Sequence, residues 1–166
     1  QNFSFSNFPI TNNLKNISGA FNNCSSLKEI DVSTISHINS IQDFSYTFKN
    51  CVSLLNLDLS SLNTGNAVNM AHMFEGCVTI SSIDISNFDT KSVIDMSYMF
   101  HNCPLLKKLD VSNFETGNVQ NMSSMFKSCS SLIVLDVKNF NTKEVTDMSS
   151  MFEYCTQVTL LNITHF

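Results

Sequence analysis

The sequence predicts an α/β repeat solenoid, with short parallel strands on one face, short helical returns on the other, and about seven strands in six full turns. Three observations carry that expectation. Cysteines recur at Cys24, Cys51, Cys77, Cys103, Cys129 and Cys155, separated by 27 residues once and by 26 four times. Aligned on them, apolar residues fall into fixed columns, the signature of a repeat array. Within each copy a period of two gives way to a period of 3.6, the marks of a strand and a helix.

Phe21, Phe48, Phe74, Phe100, Phe126 and Phe152 stand three residues before the cysteines. Three after them stand Leu27, Leu54, Ile80, Leu106, Leu132 and Val158, and six after stand Ile30, Leu57, Ile83, Leu109, Leu135 and Leu161. An acidic column follows (Asp31, Asp58, Asp84, Asp110, Asp136), closed by Asn162. All eight methionines fill two columns, Met70, Met96, Met122 and Met148, then Met73, Met99, Met125 and Met151.

Leu109-Asp110-Val111-Ser112 alternates inward and outward, as a strand with one buried face does. Met96, Met99, Phe100 and Cys103 lie at i, i+3, i+4 and i+7, one stripe of a helix. Asp95, Asn121 and Asp147 stand where such returns begin and have the side chains of helix caps. A return of about two turns would be marginal alone and must be held by packing. Phe88-Asp89-Thr90-Lys91-Ser92 and Phe114-Glu115-Thr116-Gly117-Asn118 read as turns. Nine positions per repeat point inward, so stacked coils share a core that none could build alone.

The early copies are degenerate: Ile41, Phe44 and Thr47 fill the Val, Met and Met columns of the second, and Leu14, Ile17 and Ala20 those of the first. The segment from Phe3 to Phe8 overlays that from Leu109 to Phe114, and the segment from Leu161 to Phe166 closes the chain in the same register. Neither end carries a polar capping repeat. The expectation is therefore one solenoid domain, residues 1–166, cut in register from a longer array. Its uncapped strand edges make end-to-end self-association possible.

Composition excludes several functions. Net charge is −5 and all nine basic residues are Lys, so there is no cationic face for nucleic acid and no Arg fork for guanine or phosphate. No run of 18 apolar residues offers a membrane span. There is no nucleophile elbow, phosphate loop or zinc-protease helix, and the cysteine spacing never gives C-x-x-C. No catalytic residue, metal site or cofactor is expected.

The regular cysteines read as one column of buried free thiols rather than paired staples. The four histidines occupy different columns and read as surface residues. The acidic column points out of the strand face. Carboxylates ~4.8 Å apart repel by on the order of 3 kcal/mol at an effective dielectric of about 20. Such a ladder needs solvation, hydrogen bonds or a shared cation. A structural ladder served by Ser33, Ser60, Ser86 and Ser112 leads, ahead of a cation stripe and a catalytic pair.

A short strand with a helical return at this period resembles the leucine-rich repeat. The wording M-F-x-x-C-x-x-L-x-x-L-D-V-S-x-F-x-T-x-x-V-x-D-M-S-x-M-F is similar to the BspA-like leucine-rich-repeat surface proteins, including the mycoplasma-type lipoprotein repeat. That resemblance implies a right-handed solenoid, a secreted or cell-surface address, and adhesion to host proteins or cells. The functional expectation is a non-enzymatic recognition module that binds a host matrix, receptor or other macromolecule through the exposed strand face and adjacent turns. The expected contact residues are Asp58, Asp84, Asp110, Asp136, Lys107, Lys108, Ile133, Val134 and Lys138. The alternative is a spacer or stalk with no ligand of its own.

Overall fold

The computed structural model describes residues 2–4 and 12–163. The rest of the first expected copy (Phe5 to Phe8) and the end of the last (Thr164, His165 and Phe166) lie outside the described residues.

Each strand is only three residues long: β1 Asn2–Ser4, β2 Glu29–Asp31, β3 Asn56–Asp58, β4 Val134–Asp136 and β5 Leu160–Asn162. All pairings are parallel and one repeat apart, with Ile30 opposite Leu57 and Leu135 opposite Leu161. Seven strand positions were expected; five are strands. At the other two the column thins to single bridges, Ser82 to Lys108 and Lys108 to Val134. An aspartate ends each of β2, β3 and β4, because its carboxylate takes the N–H two residues on, as Asp58 does from Ser60 at 2.9 Å.

The returns correct the expectation of helices. The only helical element among the described residues is one 3-10 turn, Ser33–Ile35. In the Cys77 coil the N–H groups of Met70, His72, Phe74 and Gly76 donate to the carbonyls of Asp95, Ser97, Met99 and His101 in the next coil, at 2.8–3.0 Å. The intervening N–H groups of Met73, Glu75 and Cys77 donate three residues back within their own coil, at 3.2–3.3 Å. An α-helix would spend all of these donors internally. Here alternate donors leave the coil, which requires left-handed backbone at His72 (φ 60°) and Gly76 (φ 72°) and at the same columns in other coils. Asp95, Asn121 and Asp147 still accept the N–H two residues on, from Ser97, Ser123 and Ser149, so they open a turn series instead of capping a helix.

The inward columns are as expected. Phe21, Phe48, Phe74, Phe100, Phe126 and Phe152 form one stack with ring centroids 5.5–5.9 Å apart. Met70, Met96 and Met122 are fully buried, whereas Met148, in the last described coil, is 39% exposed. Leu57 and Ile83 are half-buried, where the strand column thins.

Polar columns tie the coils together wherever a buried group needs a partner. Thr64 donates its hydroxyl to the Asp89 carbonyl at 3.1 Å and accepts the Asp89 N–H at 2.8 Å. Thr90 and Thr116 repeat this with Glu115 and Asn141. The Asn87 amide lies within 3.0–3.1 Å of the carbonyls of Leu59, Ser60 and Leu62, and Asn113 does the same one coil on. The 27-residue first interval places its extra residue between Ile35 and Ile41, where the Ser40 hydroxyl reaches the carbonyls of Asn12 and Leu14.

All six cysteines are free; Cys51, Cys77, Cys103 and Cys129 are buried, while Cys24 and Cys155 are only half-buried. From Cys51 onward each thiol donates to the phenylalanine carbonyl of the preceding coil, at 3.0–3.2 Å. Burial pushes the Cys51 and Cys129 thiols up to about 12 and raises Cys77 and Cys103 as well.

Two outcomes follow. A thiolate-selective reagent at pH 8 will modify Cys24 first in the native protein, Cys155 more slowly because burial raises its thiol too and it donates to the Phe126 carbonyl, and all six cysteines after denaturation. Modification of Cys77 or Cys103 under native conditions would contradict the packing. Gly76→Ala will cost roughly 1–3 kcal/mol, because its backbone is left-handed and the added methyl meets the Asn50 side-chain oxygen. Gly65 has neither problem, so Gly65→Ala should stay within about 0.5 kcal/mol in a denaturant titration.

Candidate functional site on the strand face

The residues four and five positions after each cysteine, at the entry to the strand column, are all exposed to solvent. Most are polar. In four places they are aliphatic: Leu55, Ile133, Val134 and Leu160 are 55%, 46%, 50% and 58% exposed. The last three cluster in adjacent coils.

Beside them a hollow of about 500 Å³ lies between the strand columns of the Cys103 and Cys129 coils. It is lined by Lys107, Lys108, Leu109, Asp110, Val111, Ile133, Val134 and Asp136, and its surface is largely apolar. Six of the nine residues expected from sequence are thereby brought together. Asp58 and Asp84 lie elsewhere on the same acidic ladder. Lys138 pairs with Asp136 at 3.0 Å and lines a second hollow, of about 400 Å³, with Asn139, Phe140, Asn141 and Lys143.

The acidic ladder is held by bonds within each coil. One carboxylate oxygen of Asp31, Asp58, Asp84, Asp110 and Asp136 accepts the N–H two residues on, at 2.9–3.0 Å. The serine hydroxyl and N–H hold Asp58 and Asp110 below the usual carboxylate range, and repulsion from Asp136 offsets this only in part at Asp110. Among the described residues no group of His, Cys, Asp or Glu could hold a metal ion. Lys107, Lys108 and Asp110 make no ion pair among the described residues.

The return face carries a second cluster, which no motif in the sequence marks. Tyr46, His72 and Tyr98 share one column and stack at 4.5 and 4.7 Å. Three residues on, Lys49, Glu75 and His101 share another. The Lys49 ammonium lies 2.8 Å from the Glu75 carboxylate, and Nδ1 of His72 and of His101 lie against the same group. Lys127 and Glu153 continue that column with an ion pair at 2.6 Å. The two histidines are thus half-enclosed partners of a carboxylate, not loose surface groups. The legible signal was the placing of opposite charges one repeat apart, Lys49 before Glu75 and Lys127 before Glu153, not any pattern within one coil.

Burial raises the Glu75 carboxyl, but hydrogen bonds and charge from His72 and Lys49 outweigh it and bring it down to about 2 from an ordinary 4.5. A depressed carboxyl stabilises the fold fully above its unfolded value, near 4.5, and loses that contribution as pH falls through about 2. The shift corresponds to on the order of 3 kcal/mol. Glu75→Gln should therefore be less stable at pH 7 by up to ~3 kcal/mol. Its deficit should shrink between pH 4.5 and 2 in denaturant titrations. A deficit independent of pH would show that the cluster acts by shape alone.

No helix among the described residues is long and apolar enough to cross a membrane. The fold is similar to the crystal structure of a leucine-rich repeat protein from Bacteroides ovatus ATCC 8483, with a TM-score of 0.65 and 18% identity. That alignment covers 98% of this chain and 37% of the other, so the chain spans just over a third of its structural neighbour. No curated protein matches the sequence. The family model described as "Mycoplasma protein of unknown function, DUF285" matches residues 15–132 and 79–163. With two overlapping matches running along nearly the whole repeat array, the chain belongs to this BspA-like leucine-rich-repeat family.

Proposed function

We propose that the chain is a non-enzymatic recognition module of a secreted or cell-surface protein, and that it binds another macromolecule through its strand face. The observation that carries this reading is the exposed aliphatic row of Ile133, Val134 and Leu160 beside a largely apolar hollow. Residues fixed by the repeat already have partners inside the stack. Lys107, Lys108, Ile133 and Val134 stand in columns that differ from coil to coil, and they line the hollow beside the repeated Leu109, Asp110, Val111 and Asp136; the two lysines have no ion pair among the described residues.

Ile133, Val134 and Leu160 form a cluster of half-exposed aliphatic side chains in adjacent coils, and a partner that covers them removes apolar surface from water. The lysines at the rim set orientation and encounter rate more than affinity. Host matrix protein or a cell-surface receptor fits the family resemblance and a surface of this kind.

The test is saturation binding of the purified chain to immobilised extracellular-matrix extract and to whole host cells. Ile133→Asp with Val134→Asp should weaken binding about tenfold or more while leaving the thermal midpoint in place, because both side chains already face solvent. Reversal of Lys107 and Lys108 to Glu should slow association more than it speeds dissociation. Unchanged binding in the apolar double variant would remove the strand face from consideration. Absence of saturable binding by the parent chain would favour the spacer.

A further inference from the structure

We propose that the outer face of the Tyr46 ring is a stacking platform for one neutral pyranose unit of an oligosaccharide. The site lies on the return face, so it is independent of the recognition reading of the strand face.

Tyr46, His72 and Tyr98 belong to one column of left-handed backbone, in which Gly19 stands first and Ser124 and Ser150 follow. Their shared backbone conformation, φ 55–64°, aims the side chains of the column the same way. The three rings therefore stack at 4.5 and 4.7 Å, close to the step of about 4.8 Å between stacked strands. One step before Tyr46 the column holds only Gly19. A Cβ added there would meet nothing nearer than the Asn22 Cβ, at 3.7 Å. The Tyr46 ring thus has His72 on one face and no side chain of its own column on the other, and the residue is 37% exposed. At the opposite end Tyr98 has the His101 ring against it at 5.4 Å, and Ser124 beyond it is buried. The open end of the stack is Tyr46.

The surroundings decide what continues the stack. The Lys49 ammonium lies 5.3 Å from the Tyr46 ring centroid, which opposes a cationic guest. That ammonium is already paired with Glu75, so an anion gains little. A neutral guest fits both facts. Asn22 is exposed beside the empty position, and its amide brings two N–H donors and a carbonyl acceptor. A pyranose ring matches each part. Its C–H face covers the tyrosine ring and removes apolar surface from water, and its rim of hydroxyls can pair with the amide. An aliphatic protein side chain would leave that amide unserved. A base of a nucleic acid would stack but bring phosphates that nothing here neutralises.

The probe is methyl β-D-glucopyranoside, titrated into the isotopically labelled chain and followed by amide chemical shifts. Saturable shifts are expected around Gly19, Asn22 and Tyr46, with half-saturation at about 1–10 mM for so small a ligand. Sorbitol, which carries hydroxyls without the ring, should bind about fivefold more weakly or less well still. Tyr46→Ser places in the column the residue it already holds at Ser124 and Ser150, and should abolish saturable binding while distant amide shifts stay in place. Tyr46→Phe should keep binding within about twofold, and Asn22→Ala should weaken it about fivefold. Tyr154→Ser, which removes an exposed tyrosine outside the stack, should change nothing.

Equal binding of sorbitol, binding that survives Tyr46→Ser, or tighter binding of tetramethylammonium or adenosine than of the glucoside overturns the proposal. Any of these leaves the strand face standing if Ile133→Asp with Val134→Asp still weakens matrix binding. If those two substitutions have no effect while the glucoside behaves as expected, the strand-face reading fails and the platform stands.

Discussion

Among the described residues, each coil closes only part of its backbone hydrogen bonds within itself. Alternate N–H groups of every inner return donate to the carbonyls of the next coil, and the three-residue strands pair with the strands one repeat away. A lone coil would leave those groups to water and its inward columns exposed. Stability is therefore a property of neighbours, as in other solenoids. The constraint also explains the constancy of the repeat. A bond such as that from Phe74 to the Met99 carbonyl exists only while the two returns stay in register. The one tolerated insertion lies in the turn after Ile35, where the Ser40 hydroxyl supplies bonds to the previous coil.

The same constraint accounts for residue types that look odd one at a time. A cysteine in an apolar stack is small enough for the column and still donates to a phenylalanine carbonyl of the preceding coil. A buried threonine both accepts from and donates to one residue of the next coil. Buried polar groups without partners would cost more than the apolar packing around them contributes. The repeat is thus written in residues that bond upward or downward through the stack, and the Phe and Met columns fill the space between.

Much of this was legible in the sequence, because a column is a statement about sidedness. Residues at i, i+3, i+4 and i+7 face inward whether the backbone is a helix or a series of turns closed three residues back, so the core was readable while the conformation was not. The discriminating sign lay in the columns of Tyr46, His72 and Tyr98 and of Asn50, Gly76 and Asn102, where left-handed backbone is needed and strong helix formers are scarce. Lys107, Lys108, Ile133 and Val134 were readable as breaks in the repeat, and Asp110 and Asp136 as members of its acidic column. Their convergence on one hollow was not, since it depends on how the Cys103 and Cys129 coils stack. The ladder's inner bonding was half legible: serine two residues after aspartate pointed to a hydroxyl donor, but Asp136 is served by Lys138, whose N–H suffices.

The two faces handle charge in opposite ways, and that difference bears on where a partner would sit. Down the return face opposite charges pair between coils, Lys49 with Glu75 and Lys127 with Glu153, and His101 leans on the same Glu75. Such a column neutralises itself between coils and offers a partner little uncompensated field. Down the strand face one sign repeats from Asp31 to Asp136, and each carboxylate is held by its own coil without being neutralised, apart from Asp136. Into that uniform field the Cys103 coil introduces two lysines with no ion pair among the described residues, and the next coil introduces two exposed aliphatic residues. Neither change improves the stacking. The repeated polar groups have partners within or between coils while these residues have none of that kind, and this contrast is what supports the proposed recognition surface on the strand face.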